Sequence, residues 1–215
     1  MTKIAEQKGF TIVELMIATT VFAVVLLLCT YGLLEIGRSY YKGVTITRTQ
    51  ETARIIIDDV AEAIQFNGGE VVTDPDGDGN PEDDGWYCIG NKRYSFEINR
   101  QHTDNNHALV ADSPTASCGG GTGRQDEIDI VPAGGLSSSS RELMNTRTRL
   151  SRFNIERIQD GLYSVTVRVA SGDTDVLVDN NGDNTPDDPA QCKTERSGSQ
   201  FCAVSELSTV VQRRL

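Results

Sequence analysis

The stretch KGFTIVELMIATTVFAVVLLLCTYGLL, Lys8 to Leu34, places a carboxylate, Glu14, directly before twenty residues, Leu15 to Leu34, that carry no charge. At a rise of about 1.5 Å per residue, such a run matches the roughly 30 Å hydrocarbon core of a bilayer. It contains Gly32 but no proline, and Thr19, Thr20 and Thr30 can bond back to their own helix carbonyls, so nothing forces a break. An ordinary secretory signal accounts poorly for it. Lys3 and Lys8 would supply the basic region, but no small-x-small cleavage site follows and Glu14 interrupts the apolar core. A lipoprotein signal would use Cys29, where Leu28 occupies the position that needs a small residue.

A third reading uses every odd feature together. GFTIVEL, with Gly9, Phe10 and Glu14, resembles the cleavage and methylation segment of type IV pilins and type II secretion pseudopilins. The resemblance implies that a prepilin peptidase cuts after Gly9 and methylates the new amine of Phe10, leaving Glu14 as the fifth residue of the mature chain. The leader, residues 1–9, would stay cytoplasmic, in line with the positive-inside tendency. A carboxylate in a bilayer costs about 2.5–3.5 kcal/mol at a helix centre and less near the edge, so it invites a partner. In the family that partner is the N-terminal amine of a neighbouring subunit, which makes Glu14 an assembly residue.

Beyond the apolar run the pattern turns amphipathic. Ile36, Tyr40 and Val44 recur at four-residue steps, and Ala53, Ile56, Val60 and Ile64 continue at three or four. The spacing predicts a helix to Phe66, weakened at Gly37 and Gly43 and stopped by Asn67-Gly68-Gly69. Its apolar stripe needs a covering surface. LYSVTVRVA, Leu162 to Ala170, alternates as a strand, and Arg93 to Ile98, Glu127 to Val131, Phe153 to Ile158 and Ala203 to Arg213 are further candidates. An amphipathic helix on an antiparallel sheet is an α+β domain. This again resembles the pilin fold, and the long helix followed by a strand-rich C-terminal region is most similar to W-type minor pilins and J-type pseudopilins. The expected organisation is a leader at 1–9, a transmembrane and assembly helix at 10–34, the amphipathic half of that helix at 35–67, and an exported β-rich domain at 68–215.

Composition narrows the chemistry. A formal charge of −11 over 215 residues, with no clustered Lys or Arg, argues against a nucleic-acid partner. Cys88, Cys118, Cys192 and Cys202 all follow the anchor, which points to an oxidising compartment. Four cysteines allow three pairings; Cys88 with Cys118 and Cys192 with Cys202 are expected because each closes a local loop. Cys29 should stay free in lipid. Ser137 to Ser140 and CGGGTGR, Cys118 to Arg124, read as loops, and the latter lacks the Lys-Ser or Lys-Thr of a phosphate cradle. No CxxC suggests zinc, and His102 and His107, in HTDNNH beside Asp104 and two asparagines, read as solvent-facing.

The sharpest internal signal is a repeat. DPDGDGNPEDD, Asp74 to Asp84, aligns with DNNGDNTPDDP, Asp179 to Pro189. Oxygen ligands at alternate residues with a glycine at the turn suit Ca²⁺, which takes six to eight oxygens at about 2.3–2.6 Å. Asp74, Asp76 and Asp78 have that spacing, as do Asp179, Asn181 and Asp183. Gly85 and Ala190 stand where an EF-hand carries its bidentate glutamate, so closure would fall to Glu82, Asp83 or Asp84 and to Asp187 or Asp188. The alternative is a solvated turn. The loops hold six and four acids and no base; the leader holds Lys3, Lys8 and Glu6. Removing the leader takes −11 to −12, and discounting the ten loop acids leaves −2, so nearly all the excess charge lies in two short segments.

These features converge on a single-pass inner-membrane subunit whose exported domain lies in the periplasm or on the cell surface within a filament. It would be a minor structural subunit of a type IV pilus, acting in initiation, assembly or tip function, with other pilin subunits and prepilin peptidase as partners. A J-like pseudopilin of type II secretion is the alternative within the family. A membrane-anchored, Ca²⁺-dependent adhesin is the alternative outside it. No catalytic constellation is legible.

Overall fold

The computed structural model describes residues 9–73, 84–104, 106–113, 136, 138–180, 182, 186–187, 189–193 and 198–214. The chain divides into two compact units, Met1–Tyr41 and Lys42–Leu215. One helix, α1 (Ile12–Phe66), contributes to both.

In the first unit α1 carries no charged residue from Leu15 to Leu34. Its side chains from Thr11 to Tyr31 are all exposed in the isolated chain, as a helix surrounded by lipid requires. The threonines bond back along the helix as their positions suggested. Thr19 and Thr20 donate to the Met16 carbonyl at 3.0 and 2.8 Å, and Thr30 donates to that of Leu26 at 2.8 Å. Ile36 and Tyr40, expected to begin the covered stripe, are exposed.

In the second unit the stripe is covered. Thr49, Thr52, Ala53, Ile56, Ile57, Val60, Ala63 and Ile64 are buried, recurring at three and four residues. The helix stops where glycine permits it: Gly68 has φ +68°, and the Asn67 N–H makes the last helical bond to the Ala63 carbonyl. Among the described residues eight strands follow: β1 (Val71–Thr73), β2 (Asp84–Ile89), β3 (Lys92–Glu97), β4 (Leu109–Asp112), β5 (Ser140–Glu142), β6 (Thr148–Gln159), β7 (Leu162–Ser171) and β8 (Ala203–Gln212). All pairings are antiparallel. The architecture is α+β and agrees with a pilin-like fold.

The strands form two sheets rather than the one expected, in the orders β1-β2-β3-β4-β5 and β6-β7-β8. The break falls after β5, where Arg147 adopts φ +66° in the turn that reverses the chain, and β6 pairs onward with β7. Ser140, expected in a loop, opens β5. The strand expected at Glu127 to Val131 and the loop CGGGTGR lie outside the described residues.

Local chemistry sets the hairpins. Gln159 pairs with Leu162 across Asp160-Gly161, an Asp-Gly turn with Gly161 at φ +70°. Ile89 pairs with Lys92 across Gly90-Asn91, and a Cβ on Gly90 would lie 2.4 Å from the Asn67 carbonyl oxygen. The β2–β3 turn therefore seats against the end of α1 only with glycine there.

One hydrophobic core joins helix and sheets. Tyr163, Val165, Val167 and Val169 point inward from β7 in the alternation the sequence announced. Phe153 of β6 stands edge-on to Tyr87 and Phe96, each with centroids 5.2 Å away, and so links the two sheets. A smaller core of Ala170, Val176, Leu177, Ala190 and Cys202 surrounds the Cys192–Cys202 disulfide.

Candidate functional site

The N-terminal site is built by the start of α1. Gly9 and Phe10 precede the helix outside any secondary structure; nothing lies within 4 Å of a Cβ placed on Gly9, and Phe10 is 85% exposed. Thr11 caps the helix. Its carbonyl accepts the Leu15 N–H at 3.2 Å, and its hydroxyl oxygen accepts the Glu14 N–H at 3.2 Å. Glu14 answers: its Oε2 accepts the Thr11 N–H at 2.9 Å and the Thr11 hydroxyl at 2.8 Å. This reciprocal arrangement is a capping box, the T-x-x-E pattern of Thr11-Ile12-Val13-Glu14, which satisfies two orphan donors and places a negative charge at the positive helix end. Both bonds converge on Oε2, and Oε1 takes no hydrogen bond among the described residues.

The acidic loops are described only in part. Asp74, Asp76, Asp78, Glu82, Asp83, Asn181, Asp183 and Asp188 lie outside the described residues, and Asp84 is placed by its backbone at the start of β2. In the second loop, Asp179 Oδ1 accepts the Gly182 N–H at 2.7 Å, and Gly182 has φ +77°. Asp187 accepts the Asn180 N–H at 3.0 Å and its amide Nδ2 at 2.5 Å. The Asp179 bond is a local side-chain-to-backbone contact at a turn, and the Asp187 bonds tie together two points of the loop seven residues apart.

Of the cysteines, Cys192 and Cys202 are bonded as expected, with Cα atoms 5.8 Å apart, and Cys29 is free. Cys88 is also disulfide-bonded; Cys118, its expected partner, lies outside the described residues.

The histidines correct the sequence reading. His107 is buried and His102 is half-buried, with their rings stacked at a centroid distance of 5.9 Å. The reason is the turn between them: Thr103 and Asn106 exchange backbone hydrogen bonds at 3.0 and 3.3 Å, which folds the two imidazoles onto each other beneath Glu142 of β5. No local signal in HTDNNH could have shown this, because Glu142 arrives from a strand 35 residues further on.

Asp59 was also missed. It takes Lys92 Nζ at 2.7 Å, the Tyr94 hydroxyl at 2.8 Å, and the guanidinium of Arg141. Burial pushes its carboxyl up, but the bonds from Lys92 and Tyr94 and the charges of Lys92 and Arg141 outweigh this and hold it below the usual aspartate range. The Tyr94 hydroxyl is pushed far up by its own burial and by the Asp59 charge.

An apolar N-terminal helix fronted by an exposed Gly-Phe junction and a capping glutamate fits a membrane-anchored pilin. The family described as the prokaryotic N-terminal methylation motif matches residues 4–30. The chain thus carries a prepilin-type N-terminal segment, which supports a type IV pilin or pseudopilin, and the motif implies processing by prepilin peptidase and assembly with other pilin subunits. No curated protein and no solved structure matches the chain.

Proposed function

We propose that the chain is a minor subunit of a type IV pilus that acts in filament initiation, assembly or tip function and has no catalytic role. The observation that carries this reading is the prepilin motif over residues 4–30, set against an exposed Gly9-Phe10 junction. Cleavage between Gly9 and Phe10 leaves an amine that prepilin peptidase methylates. Glu14 then has a free carboxylate oxygen for the amine of a neighbouring subunit while Oε2 still caps its own helix. In a low-dielectric bilayer edge that pair favours lateral assembly and sets the register between helices. Residues 10–34 form the inner-membrane span and residues 68–215 the exported domain, in the periplasm or on the cell surface. The disulfide across Cys192 and Cys202 supports an oxidising location.

The acidic loops, Asp74 to Asp84 and Asp179 to Pro189, take Ca²⁺ in this reading, on the strength of their ligand spacing and repeat. Intact mass spectrometry of the cellular protein tests the assignment: a chain beginning at methylated Phe10 supports it, and a chain beginning at Met1 or acylated at Cys29 overturns it. A type II secretion subunit shares this processing, so blots of sheared filaments separate the two: presence in surface pili favours the pilus, and dependence on secretion components favours the pseudopilus.

A further inference from the structure

We propose that His102, His107 and Glu142 form a binding site for one divalent transition-metal ion of the Zn²⁺ class. One donor atom from each of the three side chains lies within 4.8 Å of the others. Around a tetrahedral ion with bonds of about 2.0–2.1 Å, donor atoms stand roughly 3.4 Å apart, so a shift of about 1 Å closes the set. Two imidazoles and one carboxylate suit Zn²⁺ and its neighbours in the first transition row, whereas Ca²⁺ prefers oxygen throughout.

Three independent features mark the cluster as built for an ion. The first is His107, whose side chain is 9% exposed and whose two ring nitrogens both lack a hydrogen-bond partner. Its Nδ1 is 3.3 Å from Glu142 Oε2 without the alignment of a hydrogen bond. Buried polar atoms are seldom left so. A metal ion uses the lone pair instead.

The second is His102. Its Nδ1 lies 2.8 Å from the Asn106 carbonyl oxygen, which can only accept, and 3.7 Å from Glu142 Oε2, so a bond from Nδ1–H to that carbonyl orients the ring beside the carboxylate and leaves Nε2 as the nitrogen for an ion. Metal-binding histidines are commonly oriented by a carbonyl on the other nitrogen in this way.

The third is Glu142, whose side chain is 10% exposed. Its Oε1 accepts the N–H groups of Leu109 at 3.1 Å and Met144 at 2.9 Å, and its Oε2 accepts that of Ala108 at 3.0 Å. Three backbone donors fix the carboxylate in place. Among the described residues, the basic side chains within ion-pair distance of it are the two imidazoles, with no Lys or Arg. A bound dication offsets its charge. The ion would fasten the 102–107 turn to β5, and three protein ligands leave one tetrahedral position for water or for an outside donor.

The untagged full chain, purified in detergent and stripped with a chelator, tests the site by calorimetric titration with Zn²⁺ and by visible spectroscopy with Co²⁺. The expected result is one Zn²⁺ per chain and the strong visible bands of four-coordinate Co²⁺. His102→Gln and His107→Gln should each weaken binding at least tenfold and erase the Co²⁺ bands. Should His107→Gln fail to fold by circular dichroism, His102→Gln, at the more exposed position, decides alone. No uptake by the wild-type chain, or uptake that His102→Gln leaves unchanged, as binding by the acidic loops would give, overturns the proposal.

Discussion

The hydroxyl of Tyr94 on β3 lies 2.8 Å from the Asp59 carboxylate and 3.1 Å from the Asp59 carbonyl, so one phenol grips both the side chain and the backbone of α1. Lys92, two residues earlier on the same strand, joins at 2.7 Å. The Asp59 side chain is 11% exposed, where hydrogen-bonded charges matter more than at the surface. Asp59→Ala should therefore cost about 2–3 kcal/mol, because it removes the buried carboxylate that Lys92, Arg141 and the Tyr94 hydroxyl share. Chemical denaturation of the variant beside the wild type measures it.

The same residue predicts an acid response. Its folded carboxyl is held below the ordinary value of 3.8, so on acidification the unfolded chain takes up a proton first. The contribution of Asp59 is complete above that ordinary value and is lost as pH falls through the lower, folded one. Melting curves from pH 6 to pH 2 should show wild type losing stability more steeply than Asp59→Asn. Parallel curves would show that the charge has no part in it.

The Cys192–Cys202 bond spans a separation of ten residues and sits at the edge of the smaller core. Closing a loop of that size contributes roughly 2–3 kcal/mol in the chain-entropy model. Cys192→Ser with Cys202→Ser should lower the melting temperature by several degrees, while alkylation without reduction should label Cys29 alone. Labelling at Cys192 or Cys202 in the native protein would contradict the bridge.

Glu14→Ala removes a charge from the bilayer edge and also half of the capping box. Loss of the cap costs about 1 kcal/mol, offset by easier insertion, so the variant should accumulate in the membrane near wild-type level. Its recovery in sheared filaments should fall at least tenfold, because the neighbour's amine loses its counter-charge. Glu14→Gln keeps the cap geometry without the charge; equal incorporation of wild type and Glu14→Gln would show that charge is not the assembly signal.

The acidic loops give a separate test. Millimolar Ca²⁺ should raise the melting temperature of the full chain, since an ion that binds only the folded state stabilises it by RT ln(1 + [L]/Kd). Asp76→Ala with Asp78→Ala should remove most of that shift, and His102→Gln should leave it intact. Absence of both heat and melting shift would assign the loops as solvated turns.

What the sequence determined by itself is whatever depends on neighbours along the chain. The charge-free helical run, the stripe from Ala53 to Ile64 and the alternation of Tyr163 to Val169 are one-dimensional patterns, and the structure places each where its spacing requires. Even the Thr11 and Glu14 cap is written three residues apart, in the T-x-x-E pattern. Tertiary structure alone decided what depends on distant partners. The division into two sheets follows from β6 pairing with β7, and Asp59 acquires its role from Lys92, Tyr94 and Arg141. The histidines differ most: HTDNNH is polar by composition, yet a four-residue turn and a carboxylate from β5 bury His107. Burial is a property of the folded neighbourhood, set by long-range packing rather than by the polarity of adjacent residues.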